Sequence, residues 1–117
     1  MLQIKRVYDD PAKADGIRVL VDRLWPRGMT KERAATDLWL KEVAPSSGLR
    51  TWFNHNPERF EEFSLKYSEE LTKNSATTQL EDLVAKNPTV TLLYAAKDTR
   101  INNATVLRNF LEKSSRP

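Results

Sequence analysis

The chain has no cysteine and a single histidine, and these shortages exclude several kinds of chemistry. Without cysteine there is no disulfide, no thiolate metal site and no cysteine nucleophile. Long apolar runs are also missing, since no stretch approaches the roughly 18 to 20 apolar residues of a membrane-spanning helix. No apolar segment follows a basic start at the N-terminus, so the pattern of a signal peptide is not found. We therefore expect a cytoplasmic protein with no membrane partner.

Glycine is scarce as well, with three residues in 117, whereas 39% of the residues are hydrophobic and 30% are charged. This composition is typical of an ordered globular protein and not of a disordered or fibrous one. The length lies within the size range of one domain. We predict a single α/β domain over residues 1–117, with a frayed tail at 114–117.

The net charge of +3 is unevenly distributed along the chain. Residues 1–50 hold ten Lys and Arg against seven Asp and Glu, whereas residues 51–117 hold nine against nine. A modest local excess of this kind suits a ligand that carries phosphate or carboxylate. Nucleic acid is a less favoured partner, because acidic residues are interspersed throughout.

Four segments have the pattern of strands: residues 2–7, 17–24, 38–43 and 89–96. The first has the pattern of a half-buried strand. The second, "IRVLVDRL", alternates Ile17, Val19 and Val21 with Arg18, Leu20 and Asp22, which predicts a strand with one apolar and one mixed face. The last, "TVTLLYAA", is apolar on both faces, which predicts a central strand covered by helices on both sides. The connection between the first two strands is too short for a crossover helix, so these strands are either antiparallel or separated in the sheet.

Helical signals fill the rest of the chain. Thr30 is a candidate N-cap of a short helix, and Pro45, Ser46 and Ser47 form a turn and cap that open another. Longer amphipathic patterns cover residues 57–73, 76–86 and 101–113. Strands mixed with helices predict a small layered α/β domain, with a mostly parallel or mixed sheet flanked by helices.

Polar residues follow two of the predicted strands. "DRLWPRG" carries Asp22, Arg23 and Arg27, and "AAKDTRINNA" carries Lys97 and Asp98. Ligands of open α/β sheets bind beyond the carboxyl ends of the strands. If the two strands run parallel as near neighbours, the basic residues converge with a helix N-terminus on one crevice. The planar fork of arginine suits phosphate or carboxylate, and lysine adds a point charge.

We therefore predict a small anionic ligand in a basic crevice lined by Arg23, Arg27 and Lys97, with Arg50 as a further member. Asp22 and Asp98 are weak catalytic candidates, as a general base or as groups that orient the basic side chains. Asp98 or Thr99 is also expected to cap the last helix. In the alternative interpretation, Arg23 pairs with Asp22 or Asp37 and Arg27 is a solvated turn residue.

Other candidate residues favour structural roles. His55 has no neighbouring carboxylate to orient it, so we expect a surface or capping position. Ser46 and Ser47 lack the "GxSxG" context of a nucleophile, which favours capping. Trp25, Trp39 and Trp52 are interpreted as packing residues in preference to base-stacking ones. No pair of side chains has metal-ligand spacing, so we predict neither a metal nor a cofactor.

Four segments, taken in order, resemble the short, single-domain, YeaO-like branch of the domain-of-unknown-function family 488 (DUF488). They are "VDRLWPRG", "WLKEVAPSSGLRTWFNHNPERFEEFSLKYSEEL", "TLLYAAKD" and "NNATVL". The resemblance covers nearly the whole chain and implies a compact α/β protein of bacterial type. The positions carried over by motif are Asp22, Arg23, Trp25, Pro26, Arg27, Gly28, Lys41, Pro45, Ser46, Leu49, Arg50, Trp52, Lys97, Asp98, Asn103 and Ala104.

Two departures from the family pattern concern activity. Longer members carry cysteine and a "CHR"-like segment after the last strand, where this chain has "AAKDTRINNA", so no thiol-based activity is transferred. Short-branch members commonly have His-Asp where this chain has His55 and Asn56, which removes a carboxylate that would orient the histidine.

The resemblance fixes no function, because a fold alone does not specify one. Binding of a small anion is the leading hypothesis. The alternative is a nucleic-acid-binding or protein-interaction module without catalytic activity. A homodimer that buries Trp25 or Trp39 is a third interpretation. Catalysis, oligomeric state and the identity of the ligand stay open at the level of sequence.

Overall fold

The structure is a computed structural model that describes residues 1–114. Its strands are β1 (Leu2–Arg6), β2 (Ile17–Leu20), β3 (Leu38–Trp39) and β4 (Val90–Tyr94). Its helices are α1 (Lys31–Ala34), α2 (Ser47–Phe53), α3 (Phe60–Thr72), α4 (Ser75–Lys86) and α5 (Asn103–Ser114). Short 3₁₀ turns occupy Lys13–Asp15, Lys41–Val43 and Pro57–Arg59. No helix within this part of the chain is long and apolar enough to cross a membrane.

The four strands form one sheet in the order β1-β4-β2-β3, and all the pairs are parallel. The predicted α/β class and the mostly parallel sheet are confirmed. β4 is central and every one of its residues is buried, as its apolar pattern predicted. β1 and β2 both pair with β4 and are separated by it, which resolves the two alternatives left by their short connection.

All four strands are shorter than predicted, β2 and β3 by the most. The strand expected at residues 17–24 ends at Leu20, and the one expected at 38–43 ends at Trp39. After β2, the chain makes one more ladder bond, from Val21 N–H to the Leu93 carbonyl. Leu40 N–H then closes the β3 ladder on the Leu20 carbonyl. Because β2 offers no partner beyond this point, β3 gives way to a 3₁₀ turn.

The sheet carries a different apolar cluster on each face. The larger cluster contains Val19, Val21, Leu92 and Tyr94 together with the inward residues of α2 to α5. The smaller cluster consists of Val7, Leu20, Met29, Ala34 and Leu93, with Tyr8 and Trp25 packed against it. Only the one-turn helix α1 and loops cover this second face, so the expectation of helices on both sides of β4 is only partly met.

The predicted helix starts are largely confirmed. The Thr30 hydroxyl accepts the Arg33 N–H at 3.1 Å and the Ser46 hydroxyl accepts the Leu49 N–H at 3.2 Å, so both residues are N-caps. In α3, Phe63, Tyr67 and Leu71 are buried, as the apolar stripe predicted.

The cap of α5 differs from the prediction. Neither Asp98 nor Thr99 caps this helix, because the Asn102 side chain accepts the Thr105 N–H at 2.9 Å. Asn102 is almost fully buried. Its amide group can accept one hydrogen bond and donate another, so it leaves neither polar atom without a partner. At the other end, Ser114 is the last residue of α5. The rest of the predicted frayed tail, residues 115–117, lies outside the described residues.

Candidate functional site

A cavity of about 630 Å³ lies at the carboxyl end of the sheet. The segments that follow β1, β2 and β4 form much of its wall, and α2 and the start of α5 complete it. All six residues singled out from the sequence line this cavity: Asp22, Arg23, Arg27, Arg50, Lys97 and Asp98. Five of them come together because β2 and β4 are adjacent and parallel, so that the chain leaves both strands at the same edge. Arg50 joins them from α2.

The four basic side chains have no acidic partner within residues 1–114. Arg23 is half-buried, and its guanidinium donates to the carbonyls of Ala44 at 3.3 Å and Pro45 at 3.4 Å. Arg27, Arg50 and Lys97 are exposed. These cations form no ion pair in the described part of the chain, and the carboxylates of Asp22 and Asp98 line the same cavity.

The ion pair proposed as the alternative for Arg23 is not formed. The Asp37 carboxylate accepts the backbone N–H of Arg18 at 2.8 Å, and Asp22 has other partners as well. Arg27 is exposed, as that alternative expected. Its carbonyl accepts the Tyr8 hydroxyl at 2.9 Å, which fixes the turn that carries it beside the cavity.

Asp22 connects three elements. One carboxylate oxygen accepts the Ala95 N–H at 2.9 Å, and the other accepts the Asn103 amide at 3.2 Å. The Asp22 carbonyl accepts the Trp39 indole N–H at 2.8 Å. Asp22 forms no ion pair with an arginine within residues 1–114, and its hydrogen bonds tie together the segments after β2 and β4 and the start of α5.

The electrostatic environment of Asp22 is mixed. Burial raises the pKa of its carboxyl group above the ordinary value, and the hydrogen bonds from Ala95 and Asn103 oppose this rise. The positive charge of Arg50 and the nearby His55 oppose it further. Nearby cations lower the free-energy cost of ionising a carboxyl group that is partly buried.

Asp98 is engaged in the turn before α5. Its carboxylate accepts the N–H groups of Ile101 and Arg100, both at 2.9 Å. These two bonds hold the pKa of Asp98 below its usual range. The Asp98 carbonyl also accepts the Asn102 side-chain amide. Asp98 thus shapes the part of the cavity next to Lys97.

Several lining residues were missed as site residues by the sequence argument: Tyr8, Trp25, Phe53, His55, Phe63 and Asn103. Tyr8 follows β1 as Asp22 follows β2. The rule that ligands bind beyond the carboxyl ends of parallel strands therefore also points to Tyr8. His55 is exposed, as expected, and its φ of 55° follows Asn54 at 46°, which ends α2 in the left-handed conformation. Within residues 1–114, no cluster of His, Asp and Glu can hold a metal ion.

The three tryptophans fit packing roles to different degrees. Trp25 is half-buried against the smaller cluster, and its ring meets Trp39 edge-on at 5.4 Å. Trp52 is partly buried against the larger cluster. Trp39 is 36% exposed, and it lies at the edge of the sheet with the Lys41 ammonium over its ring.

Comparisons with known proteins give a family and several relatives. A family model described as "Inactive DUF488-N3 subclade" matches residues 1–116. The chain is 44% identical over 111 residues to the uncharacterized protein YeaO of Escherichia coli (strain K12), with 94% of this chain and 96% of that protein covered. It is 42% identical over 110 residues to uncharacterized proteins of Mycobacterium tuberculosis and Mycobacterium bovis, with 94% of this chain and 92% of theirs covered. No solved structure matches significantly.

Proposed function

Because this chain belongs to the DUF488 family, in the subclade described as inactive, we propose that it acts by binding a small anionic ligand. The ligand carries phosphate or carboxylate and occupies the cavity at the carboxyl end of the sheet. The word "inactive" in the family description fits a binding role better than a catalytic one. The cytoplasmic location expected from the sequence is part of this proposal.

One observation carries the proposal: Arg23, Arg27, Arg50 and Lys97 line the same cavity and form no ion pair within residues 1–114. Positive charges gathered in one concave space repel each other and raise the local concentration of anions. A bound anion offsets this repulsion and gives arginine the bidentate partner that its geometry suits.

The position of the cavity supports the same function. In open α/β sheets, ligands bind in the crevice beyond the carboxyl ends of the strands. A volume of about 630 Å³ falls within the range of about 300 to 1,000 Å³ that is typical of small-molecule sites. Arg23 is held in the wall by the Ala44 and Pro45 carbonyls, so this part of the site is already formed without a ligand.

The proposal is tested by isothermal titration of the full chain with inorganic phosphate, pyrophosphate and citrate. We expect at least one of them to bind, and Arg27→Gln to weaken that binding by about tenfold, since a charge-assisted hydrogen bond contributes about 1.5 to 3 kcal/mol. Arg33→Gln is the matched control, because Arg33 is an exposed arginine on α1 that does not line the cavity.

Two results would count against small-anion binding. One is the absence of any heat or thermal shift with all three anions. The other is equal binding by the wild type and Arg27→Gln. Tight binding of a short oligonucleotide that weakens steeply with salt would instead support the nucleic-acid-binding alternative, because such binding releases many counterions.

A further inference from the structure

The lining of the cavity divides into three chemical groups. Exposed cations are provided by Arg27, Arg50 and Lys97. Hydrogen-bond acceptors are provided by the side chains of Asp22 and Asn103. Aromatic side chains are provided by the half-buried Tyr8 and Trp25 and by the almost fully buried Phe53 and Phe63. A simple inorganic anion would use the first group and leave the other two without a partner.

One aromatic wall consists of Tyr8 and Trp25. The Trp25 indole N–H donates to the Met29 carbonyl at 2.7 Å, and the Tyr8 hydroxyl donates to the Arg27 carbonyl at 2.9 Å. The polar atoms of both rings are therefore already used within the protein. Because these hydrogen bonds also fix the ring positions, little side-chain freedom is lost when a ligand contacts them.

The second aromatic wall is built by α2 and α3. The rings of Phe53 and Phe63 are stacked, with centroids 4.1 Å apart and planes inclined by 15°. The ring of His55 lies 6.3 Å from that of Phe53. Phe53 and Phe63 are almost fully buried, so they form a rigid apolar support next to the exposed His55 and offer little ring surface of their own.

The acceptor group requires a ligand with hydrogen-bond donors. Each carboxylate oxygen of Asp22 accepts one hydrogen bond from the protein, which leaves further lone pairs. The Asn103 amide nitrogen donates to Asp22 and to the Val21 carbonyl. The Asn103 amide oxygen accepts no hydrogen bond from residues 1–114. Hydroxyl or amino groups are the matching partners.

We propose that the anionic ligand is a nucleoside phosphate, an inference that rests on the proposed function. Its phosphate binds the cations, its base lies against Tyr8 and Trp25, and its sugar hydroxyls or exocyclic amino groups donate to Asp22 and Asn103. A sugar phosphate would leave the aromatic surface in contact with water. An apolar carboxylate would leave the acceptors without donors. A nucleoside phosphate matches all three groups.

The first test is calorimetric titration of the full chain with AMP, GMP, CMP, UMP, ribose 5-phosphate and inorganic phosphate. At least one nucleoside monophosphate is expected to bind about tenfold more tightly than ribose 5-phosphate, since stacking of a base on an aromatic ring favours binding by about this factor or more. The comparison isolates the base, because ribose 5-phosphate has the same phosphate and sugar.

The second test uses variants. Trp25→Leu is expected to weaken binding of the preferred nucleotide about tenfold and to leave binding of inorganic phosphate unchanged. Arg27→Gln is expected to weaken both. Trp52→Leu is the control, because Trp52 does not line this cavity. If circular dichroism shows that Trp25→Leu does not fold, Tyr8→Leu tests the same wall.

The possible results separate the two proposals. If ribose 5-phosphate or inorganic phosphate binds as tightly as every nucleotide, the nucleoside class is wrong and binding of a small anion stands. If Trp25→Leu and Tyr8→Leu both fold and both bind the nucleotide as the wild type does, the role of the aromatic wall is wrong. If none of the six compounds binds, the nucleoside class is wrong, and the proposed function fails as well only if pyrophosphate and citrate also do not bind.

Discussion

Asp15 carries the most heavily bonded carboxylate on the face of the sheet opposite the long helices. It is 5% exposed and accepts hydrogen bonds from the Ala12 N–H at 2.9 Å, from the Lys5 ammonium at 3.2 Å and from the Arg18 guanidinium. Arg18 is 4% exposed and also donates to the Ala34 carbonyl at 2.7 Å. This network joins β1, β2 and the end of α1.

The network makes the stability of the fold depend on pH. Burial by itself raises the pKa of Asp15, but the Ala12 N–H and the Lys5 and Arg18 side chains outweigh it, so the pKa lies below the ordinary value. The stabilisation is therefore fully present above the unfolded pKa of about 3.9 and is lost as the pH falls through the lower folded value. Asp15→Asn is expected to cost about 3 kcal/mol of unfolding free energy at neutral pH.

Urea unfolding of the wild type and Asp15→Asn at about pH 7 and about pH 2 measures this dependence. The difference between the two proteins should be large at neutral pH and should shrink in acid, where the wild-type carboxyl group becomes protonated. Asp9→Asn is the control, because Asp9 is exposed and should change the stability by less than about 0.5 kcal/mol. An equal difference at both pH values would show that ionisation of Asp15 is not the cause.

Sequence reasoning placed Arg18 on the face of its strand opposite Ile17 and Val19, and these two residues do pack against the larger cluster. It did not predict that Arg18 is buried together with Asp15. Alternation along a strand separates the two faces, but it does not show which face is covered. Here the cover comes from the segment before β2 and from the end of α1, through contacts that no local pattern contains.

At the scale of elements, Gly16 sets how closely the connection between β1 and β2 approaches β4. Its φ is 63°, and a Cβ at this position would lie 2.8 Å from the Thr89 carbonyl carbon. The Thr89 carbonyl also accepts the Ile17 N–H at 3.0 Å. The first bond of β2 to the central strand thus requires a residue without a side chain at position 16.

We expect Gly16→Ala to destabilise the fold by at least about 2 kcal/mol, because it combines an unfavourable φ with a clash against backbone. Chemical unfolding measures the change. Gly48→Ala is the matched control, since Gly48 lies in the first turn of α2 with no atom within 4 Å of an added Cβ. That variant should be more stable by about 0.5 to 1 kcal/mol. Equal effects of the two substitutions would contradict this account.

Element types were predictable where the apolar period was clear, as in β4, α3 and α5. The residues at which elements end were harder to predict, because they depend on hydrogen-bond partners elsewhere in the fold. β2 was expected to continue to residue 24, yet Asp22 leaves the ladder and accepts the Ala95 N–H with its side chain. The α5 cap was assigned to Asp98 or Thr99, whereas the buried Asn102 performs it. Both differences arise where the chain turns to form the cavity.

At the scale of the whole molecule, one topological fact places five of the six predicted site residues around one cavity, and α2 brings the sixth, Arg50. Two parallel neighbouring strands direct the chain to the same edge of the sheet, so residues 75 positions apart, such as Asp22 and Lys97, become neighbours in the wall. The aromatic walls were not predictable in the same way. Phe53 and Phe63 read as core residues, and their place beside the cavity depends on how α2 and α3 close over the sheet.

The two apolar clusters share the strands that carry them, which predicts one cooperative unfolding unit. β2 contributes Val19 to the larger cluster and Leu20 to the smaller one, and β4 contributes Leu92 and Leu93 in the same way. Neither cluster can lose its sheet face without disrupting the other. We therefore expect residues 1–114 to behave as the single domain predicted from the sequence and to unfold in one transition.

Two single-tryptophan variants test this cooperativity. In one, Trp39 and Trp52 are replaced by Phe, so that fluorescence reports on Trp25 beside the smaller cluster. In the other, Trp25 and Trp39 are replaced, so that it reports on Trp52 beside the larger cluster. In each variant, the urea midpoint from fluorescence should coincide with the midpoint from helical circular dichroism. A Trp25 transition that precedes loss of helix would instead show that the thinly covered face opens first, as a separate unit of lower stability.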